Sequence, residues 1–144
     1  MQILRLLALA LLMLTFSLTA SHAAGETAGP AQQAAERWFA KTHRGVDTHR
    51  VQVFSDKNGQ YAVGVVDYSP QGGHALLCAV GVFRKESTGS YAFVKEAKPS
   101  DGIYGETENV TFKGNTAVVS AKVRKPGDPN CCPTGKKTWK FTLP

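Results

Sequence analysis

Three cysteines carry the most reactive side chains of this sequence. Cys78 lies within the apolar run 76–80, whereas Cys131 and Cys132 are adjacent in a proline-rich segment. In an oxidising compartment this set predicts a long-range disulfide from Cys78 to Cys132, with Cys131 as the alternative partner and one thiol left over. A vicinal Cys131–Cys132 bridge, an intermolecular disulfide and metal ligation remain open. Zinc is disfavoured, because no further Cys or His stands at ligand spacing from the adjacent pair.

A thiol left over at Cys131 or Cys132 could act as a nucleophile if the fold supplied a base. His74 is close to Cys78 in sequence, but on an extended strand four residues separate them by about 13 Å. His43 and His49 lie around the end of a predicted helix, where their spacing suits a metal only loosely. We therefore interpret the histidines as surface or capping residues. A thiol-dependent enzyme or redox protein using Cys131 or Cys132 is the alternative hypothesis.

Paired carboxylates are the other source of acid–base chemistry. Glu106 and Glu108 are expected to share one face near the start of a strand, and Asp67 ends another strand. Solvated strand ends have the same pattern, so these residues do not by themselves indicate catalysis. The sequence contains no P-loop, no G-x-S-x-G, no H-E-x-x-H and no EF-hand loop. We accordingly predict no catalytic residues, no metal site and no cofactor.

Positive charge is concentrated near the end of the sequence. The 144 residues have a formal net charge of +6, and from Lys113 onward Asp128 is the only acidic residue. Such a basic region can be a solvated strand face, or it can attract anionic lipid or polysaccharide. No aromatic residues are interleaved with these cations on an exposed face, and no nucleic-acid module is recognisable, so nucleic acid is not an expected partner. The candidate anion-binding residues are Lys122, Arg124, Lys125, Lys136, Lys137 and Lys140.

Residues 1–23 have the pattern of a cleaved export signal. Arg5 precedes an apolar stretch over 6–18, and Ser21 and Ala23 are the small residues before the cleavage point. The stretch is short for a membrane span, which needs about 20 residues. No cysteine lies near the cleavage point, so there is no lipobox. We predict a periplasmic or secreted protein with no transmembrane segment after signal removal, and a single domain over 24–144.

The elements that must position these residues are one helix and a set of strands. Pro30 begins a helix with Trp38 and Phe39 on its apolar face, and Gly45 follows its end. Beyond Asp47 the pattern has a period of two, with hairpin signals at 58–59, 87–89 and 114–115. The predicted strands are 49–55, 60–68, 74–85, 90–97, 108–113, 116–124 and 136–143. We predict an α+β fold, with an N-terminal amphipathic helix packed on a curved, mainly antiparallel sheet of about seven strands.

The segment from Asp128 to Gly135, which reads Asp-Pro-Asn-Cys-Cys-Pro-Thr-Gly and precedes a basic, aromatic strand, resembles the ending of the LppP/LprE-like exported proteins. That family carries a segment of the Asp-Pro-x-Cys-Cys-Pro-Ser type late in the chain. It also has an earlier strand cysteine in a position comparable to Cys78. Its named members are lipoproteins, whereas this chain has no lipobox. The family has no established activity, so the resemblance implies a small exported domain and no reaction.

The leading prediction is therefore a small, disulfide-stapled exported domain without enzymatic activity. It is expected to bind a protein partner or an anionic polymer or lipid of the cell envelope. The export signal, the basic region and the lack of a catalytic motif support this prediction.

Overall fold

A computed structural model describes residues 29–97, 105–129 and 132–144. These residues form one helix and seven strands, in agreement with the predicted elements. The expected export signal and Cys131 lie outside the described residues. The elements are α1 (Pro30–Thr42), β1 (Val46–Ser55), β2 (Tyr61–Pro70), β3 (Leu77–Lys85), β4 (Tyr91–Ala97), β5 (Gly105–Lys113), β6 (Thr116–Val123) and β7 (Gly135–Thr142).

The strands form two antiparallel sheets rather than one curved sheet. Sheet 1 has the order β1-β2-β3-β4, and sheet 2 has the order β5-β6-β7. The hairpins predicted at 58–59, 87–89 and 114–115 join β1 to β2, β3 to β4 and β5 to β6. Three strand starts differ from the prediction by three residues, since β1 begins at Val46, β5 begins at Gly105 and β3 begins only at Leu77. His74 therefore lies before β3 and not on it.

The two sheets pack face to face around the larger of two apolar cores. Val63 and Val65 of β2 lie in this core together with Val119 of β6 and Trp139 of β7. Alternate residues of each strand enter the core because side chains on a strand point to opposite faces in turn. Sheet 2 consequently has one buried face and one exposed face, while β2 and β3 are covered on both faces.

Helix α1 covers the other face of sheet 1 and encloses the second core. Its buried residues are Ala34, Ala35, Trp38 and Phe39, which pack with Phe83 and its neighbours. Two glycines that pair across strands, Gly64 and Gly81, allow the close approach. A Cβ atom at Gly64 would lie 2.7 Å from the Cβ of Ala35, and one at Gly81 would lie 3.0 Å from the Trp38 ring. The layers are thus helix, four-stranded sheet and three-stranded sheet.

Among the described residues, no helix is long and apolar enough to cross a membrane.

Candidate functional site

A row of polar side chains lies between the two sheets and is buried except at Arg50, whose side chain is 37% exposed. Arg50, Asp67 and Cys78 are neighbours in the register of β1, β2 and β3, and Thr107 of sheet 2 faces them. Arg50 donates to Asp67 Oδ2 from Nε at 2.9 Å and from Nη2 at 2.6 Å. The same Nη2 donates to the Thr107 carbonyl oxygen at 2.7 Å. We call Arg50, Asp67, Cys78 and Thr107 the inter-sheet polar cluster, because their contacts join the two sheets.

Cys78 in this cluster is a free, buried thiol. No bond joins it to Cys132, the other cysteine that the structure describes, so the predicted Cys78–Cys132 disulfide and the disulfide-stapled domain are wrong. The Cys78 sulfur instead lies 3.0 Å from Thr107 Oγ1. Burial raises the pKa of Cys78 to about 12, so the thiol is neutral at physiological pH and is no nucleophile.

The histidines lie in three different surroundings. His43 caps the end of α1 and stacks on Phe39, with ring centroids 4.6 Å apart. His49 occupies a β-bulge in β1, and its Nε2 lies 2.8 Å from Ser69 Oγ. His49 and Ser69 line a small cavity of about 190 Å³ together with His74. In the part of the chain that the structure describes, no three His, Cys, Asp or Glu residues are grouped so as to hold a metal.

Two of the three candidate carboxylates, Asp67 and Glu106, share Arg50 as a partner, and Glu108 has Lys136. Asp67 is 2% exposed and belongs to the inter-sheet polar cluster. Glu106 Oε1 lies 3.5 Å from Arg50 Nη2, whereas Glu108 Oε1 lies 3.5 Å from Lys136 Nζ. A β-bulge lies after Thr107, but Glu106 is opposite Lys122 in β6 and Glu108 contacts Lys136. Because Lys122 and Lys136 are opposite each other, both carboxylates lie at the same lysine-bearing face of sheet 2, where each has a cationic neighbour.

Lysines gather on the exposed face of sheet 2. Lys122 of β6 lies directly opposite Lys136 of β7, and Lys140 follows on the same face of β7. Their neighbours in sequence, Ala121 and Trp139, point the other way into the core. Lys113 at the end of β5 has this orientation too, but the sequence analysis did not select it. We call Lys113, Lys122, Lys136 and Lys140 the basic face.

The other three predicted anion-binding residues lie elsewhere. Lys137 is on the opposite side of β7, with its Nζ 5.4 Å from the centre of the Trp139 ring. Arg124 and Lys125 lie in the loop after β6, where Arg124 Nη2 donates to the Asp128 carbonyl oxygen at 2.9 Å. The six predicted residues thus do not form one surface.

Asp128 holds this loop in shape. Its Oδ2 accepts hydrogen bonds of 2.8 Å from the backbone N–H groups of Lys125 and Thr134, and its Oδ1 accepts one of 2.9 Å from Thr134 Oγ1. The two backbone hydrogen bonds lower the pKa of Asp128 below its ordinary value. Two residues of the segment that carries the family resemblance, Asp128 and Thr134, therefore have a structural role, which could not be recognised without the loop geometry.

Comparisons with protein-family models, with curated proteins and with solved structures gave no match. The class that the fold defines is a mainly antiparallel β protein with one covering helix among the described residues. The resemblance to LppP/LprE-like exported proteins stays a prediction.

Proposed function

We propose that this chain is a non-catalytic, exported binding protein whose basic face contacts an anionic polymer or lipid surface of the cell envelope. The observation that carries the proposal is the register of β6 and β7, in which Lys122 lies directly opposite Lys136. Like charges at directly opposite positions destabilise a sheet. On the other side of Lys122, Glu106 of β5 lies opposite it, and Glu108 contacts Lys136, so this face has two carboxylates against four lysines. An anionic partner would relieve the repulsion that remains between the lysines.

The spacing of the lysines favours an extended partner over a single small anion. Lys136 and Lys140 are separated by four residues of strand, which corresponds to about 13 Å. Glu108 is the acidic neighbour of Lys136 at 3.5 Å, and that lysine side chain is 77% exposed. An ion pair this exposed contributes at most about 1 kcal/mol, so a polymer with many charges can compete with it.

The export pattern of residues 1–23 supports a periplasmic or secreted location, where such polymers and lipid surfaces occur. The alternative, a thiol-dependent enzyme or redox protein using Cys131 or Cys132, gains no support from Cys78, whose thiol is buried and neutral. We therefore retain binding as the proposed function.

The test is retention of the exported chain on heparin, and on vesicles containing anionic lipid, across a salt series. The variant carries Lys122→Gln, Lys136→Gln and Lys140→Gln, and a control carries Lys57→Gln, Arg84→Gln and Lys85→Gln. Both remove three positive charges, but the control residues lie at the hairpin end of sheet 1. Three surface lysines contribute about 1 kcal/mol each near an anionic surface, so the variant should bind about 100-fold more weakly.

The control should retain most of the affinity for the same ligand. Equal weakening in the two variants would reduce the effect to net charge and contradict a role for the basic face. No retention of the unmodified chain at low salt would refute the proposal. Preference for heparin or for vesicles then assigns the source of the anion.

A further inference from the structure

A second surface lies on the face of sheet 1 that α1 covers, away from sheet 2, and it has the composition of a small-molecule site. It is a groove of about 390 Å³ between α1 and β4. Sites for small ligands usually measure about 300–1,000 Å³ and are mostly apolar with a few polar groups. The residues that line this groove are Ala34, Arg37, Trp38, Lys41, Thr42, Tyr91 and Phe93.

The floor of the groove is aromatic. Phe93 stacks on Trp38 with ring centroids 5.5 Å apart and an angle of 13° between the rings. Phe93 is nevertheless 46% exposed and is the one large hydrophobic side chain of the described residues in this condition. An aromatic ring exposed on a stacked neighbour offers a platform for one further ring.

The rim of the groove is positively charged. Arg37 and Lys41 are four residues apart on α1 and therefore lie on the same side of the helix. No acidic residue lines the groove, and within the described residues no ion pair involves either cation. The groove on the other side of α1 differs, because it contains Glu36 together with Arg44. The lining of the groove beside β4 thus complements an anion.

We propose that the groove between α1 and β4 binds a small aromatic carboxylate, with its ring on Phe93 and its carboxylate at Arg37 and Lys41. Arginine and lysine donate charge-assisted hydrogen bonds to a carboxylate, and Arg37 can do so with two parallel donors. The site lies on sheet 1 and is independent of the basic face on sheet 2.

The test is an NMR titration of the labelled exported chain with naphthoate, and with naphthamide as the neutral analogue of the same shape. With naphthoate, the amide shifts should be confined to the segments around Arg37, Lys41 and Phe93. Naphthamide should bind more weakly. In the variant Arg37→Gln/Lys41→Gln, naphthoate affinity should fall about tenfold, because two exposed cations each contribute a fraction of a kcal/mol to about 1 kcal/mol.

Two further variants control for charge and for the ring. Arg44→Gln/Lys57→Gln removes the same charge away from the groove and should leave naphthoate affinity unchanged. Phe93→Ser should abolish binding without unfolding the chain, since the side chain is half exposed. The proposal is overturned if naphthamide binds as tightly as naphthoate, if no amide shifts, or if the shifts fall on Lys122, Lys136 and Lys140. The last result would assign carboxylate attraction to the basic face.

Discussion

The Cys78 thiol lies between the two sheets, within hydrogen-bond distance of Thr107 Oγ1, and burial raises its pKa to about 12 from an ordinary value of 9.0. The sequence correctly marked Cys78 as a buried strand residue but gave it the wrong partner. That partner is determined by the alignment of β3 in sheet 1 with β5 in sheet 2. Residue types and local periodicity do not predict how strands of two different sheets are aligned.

Alkylation should distinguish a buried free thiol from a disulfide at Cys78. In the folded protein at mildly alkaline pH, Cys78 should remain unmodified by iodoacetamide, because the thiol is both neutral and inaccessible. In concentrated guanidinium without reductant it should be modified completely. Peptide mass spectrometry measures both states. A Cys78 that stays unmodified after unfolding would indicate a disulfide and contradict the structure, as would rapid modification of the native chain.

The carboxylate of Asp128 should make the loop between β6 and β7 sensitive to acid. Backbone hydrogen bonds from Lys125 and Thr134 hold its pKa below the ordinary value of 3.8. The folded loop favours the charged carboxylate. The stabilisation of the loop by Asp128 is therefore complete above pH 3.8 and is lost as the pH falls through the lowered pKa. The protection factor of the Thr134 amide, which corrects for the pH dependence of intrinsic hydrogen exchange, should fall over this range.

Asp128→Asn is the matched variant for the loop. It should exchange rapidly at Thr134 even at neutral pH, and the acid-dependent change in exchange should disappear. Identical protection of Thr134 in the variant and in the unmodified chain would show that Asp128 does not hold the loop.

At the scale of elements, local signals were sufficient for the helix and the hairpins. The loop that contains Asn58 and Gly59 joins β1 to β2, but it is longer than a two-residue turn: the Gly59 N–H donates to the Asp56 carbonyl oxygen, and Gly59 alone has a positive φ, of 64°. The β-bulges at His49 and Glu108 could not be predicted, because a bulge depends on the partner strand and not on the sequence of one strand.

Docking of α1 depends on the absence of a side chain at Gly64. Gly64→Ala would place a Cβ 2.7 Å from the Cβ of Ala35, so the helix must shift. Crowding of this kind costs about 1–3 kcal/mol, which should appear as a lower free energy of unfolding in urea, with altered Trp38 fluorescence. Gly29→Ala is the control, since a Cβ there meets nothing within 4 Å. Equal stability of the two variants would contradict close docking of the helix.

For the whole molecule, the sequence predicted one curved sheet where the structure has two. The signal for two sheets was present in the nearly continuous apolar runs of β2 and β3, which have six consecutive buried residues each. Such runs are typical of strands covered on both faces, whereas β6 alternates as expected for a strand with one wet face. The period-two pattern of β6 identified it as a strand with one buried face. The continuous apolar runs of β2 and β3 were given the same interpretation, although both faces of these strands are covered.

The inter-sheet polar cluster should contribute to the stability of the whole domain. Asp67→Ala removes the acceptor of two Arg50 hydrogen bonds and leaves the guanidinium without its buried partner. Loss of one partner from a buried pair costs about 3–5 kcal/mol, and we expect about 2–3 kcal/mol here because Arg50 is 37% exposed. Urea unfolding measures the loss. Asp47→Ala, an exposed position on β1, is the control, and an equal effect there would argue against the cluster.

The most direct test of the proposed function is to map a bound polyanion on the isotopically labelled chain over residues 24–144. We predict that a short heparin oligosaccharide shifts the amide signals around Lys122, Lys136 and Lys140, and that the shifts disappear as salt is raised. Signals around Phe93 and Cys78 should stay in place. Shifts spread evenly over all exposed lysines, or no shifts at low salt, would contradict the assignment of anion binding to the basic face.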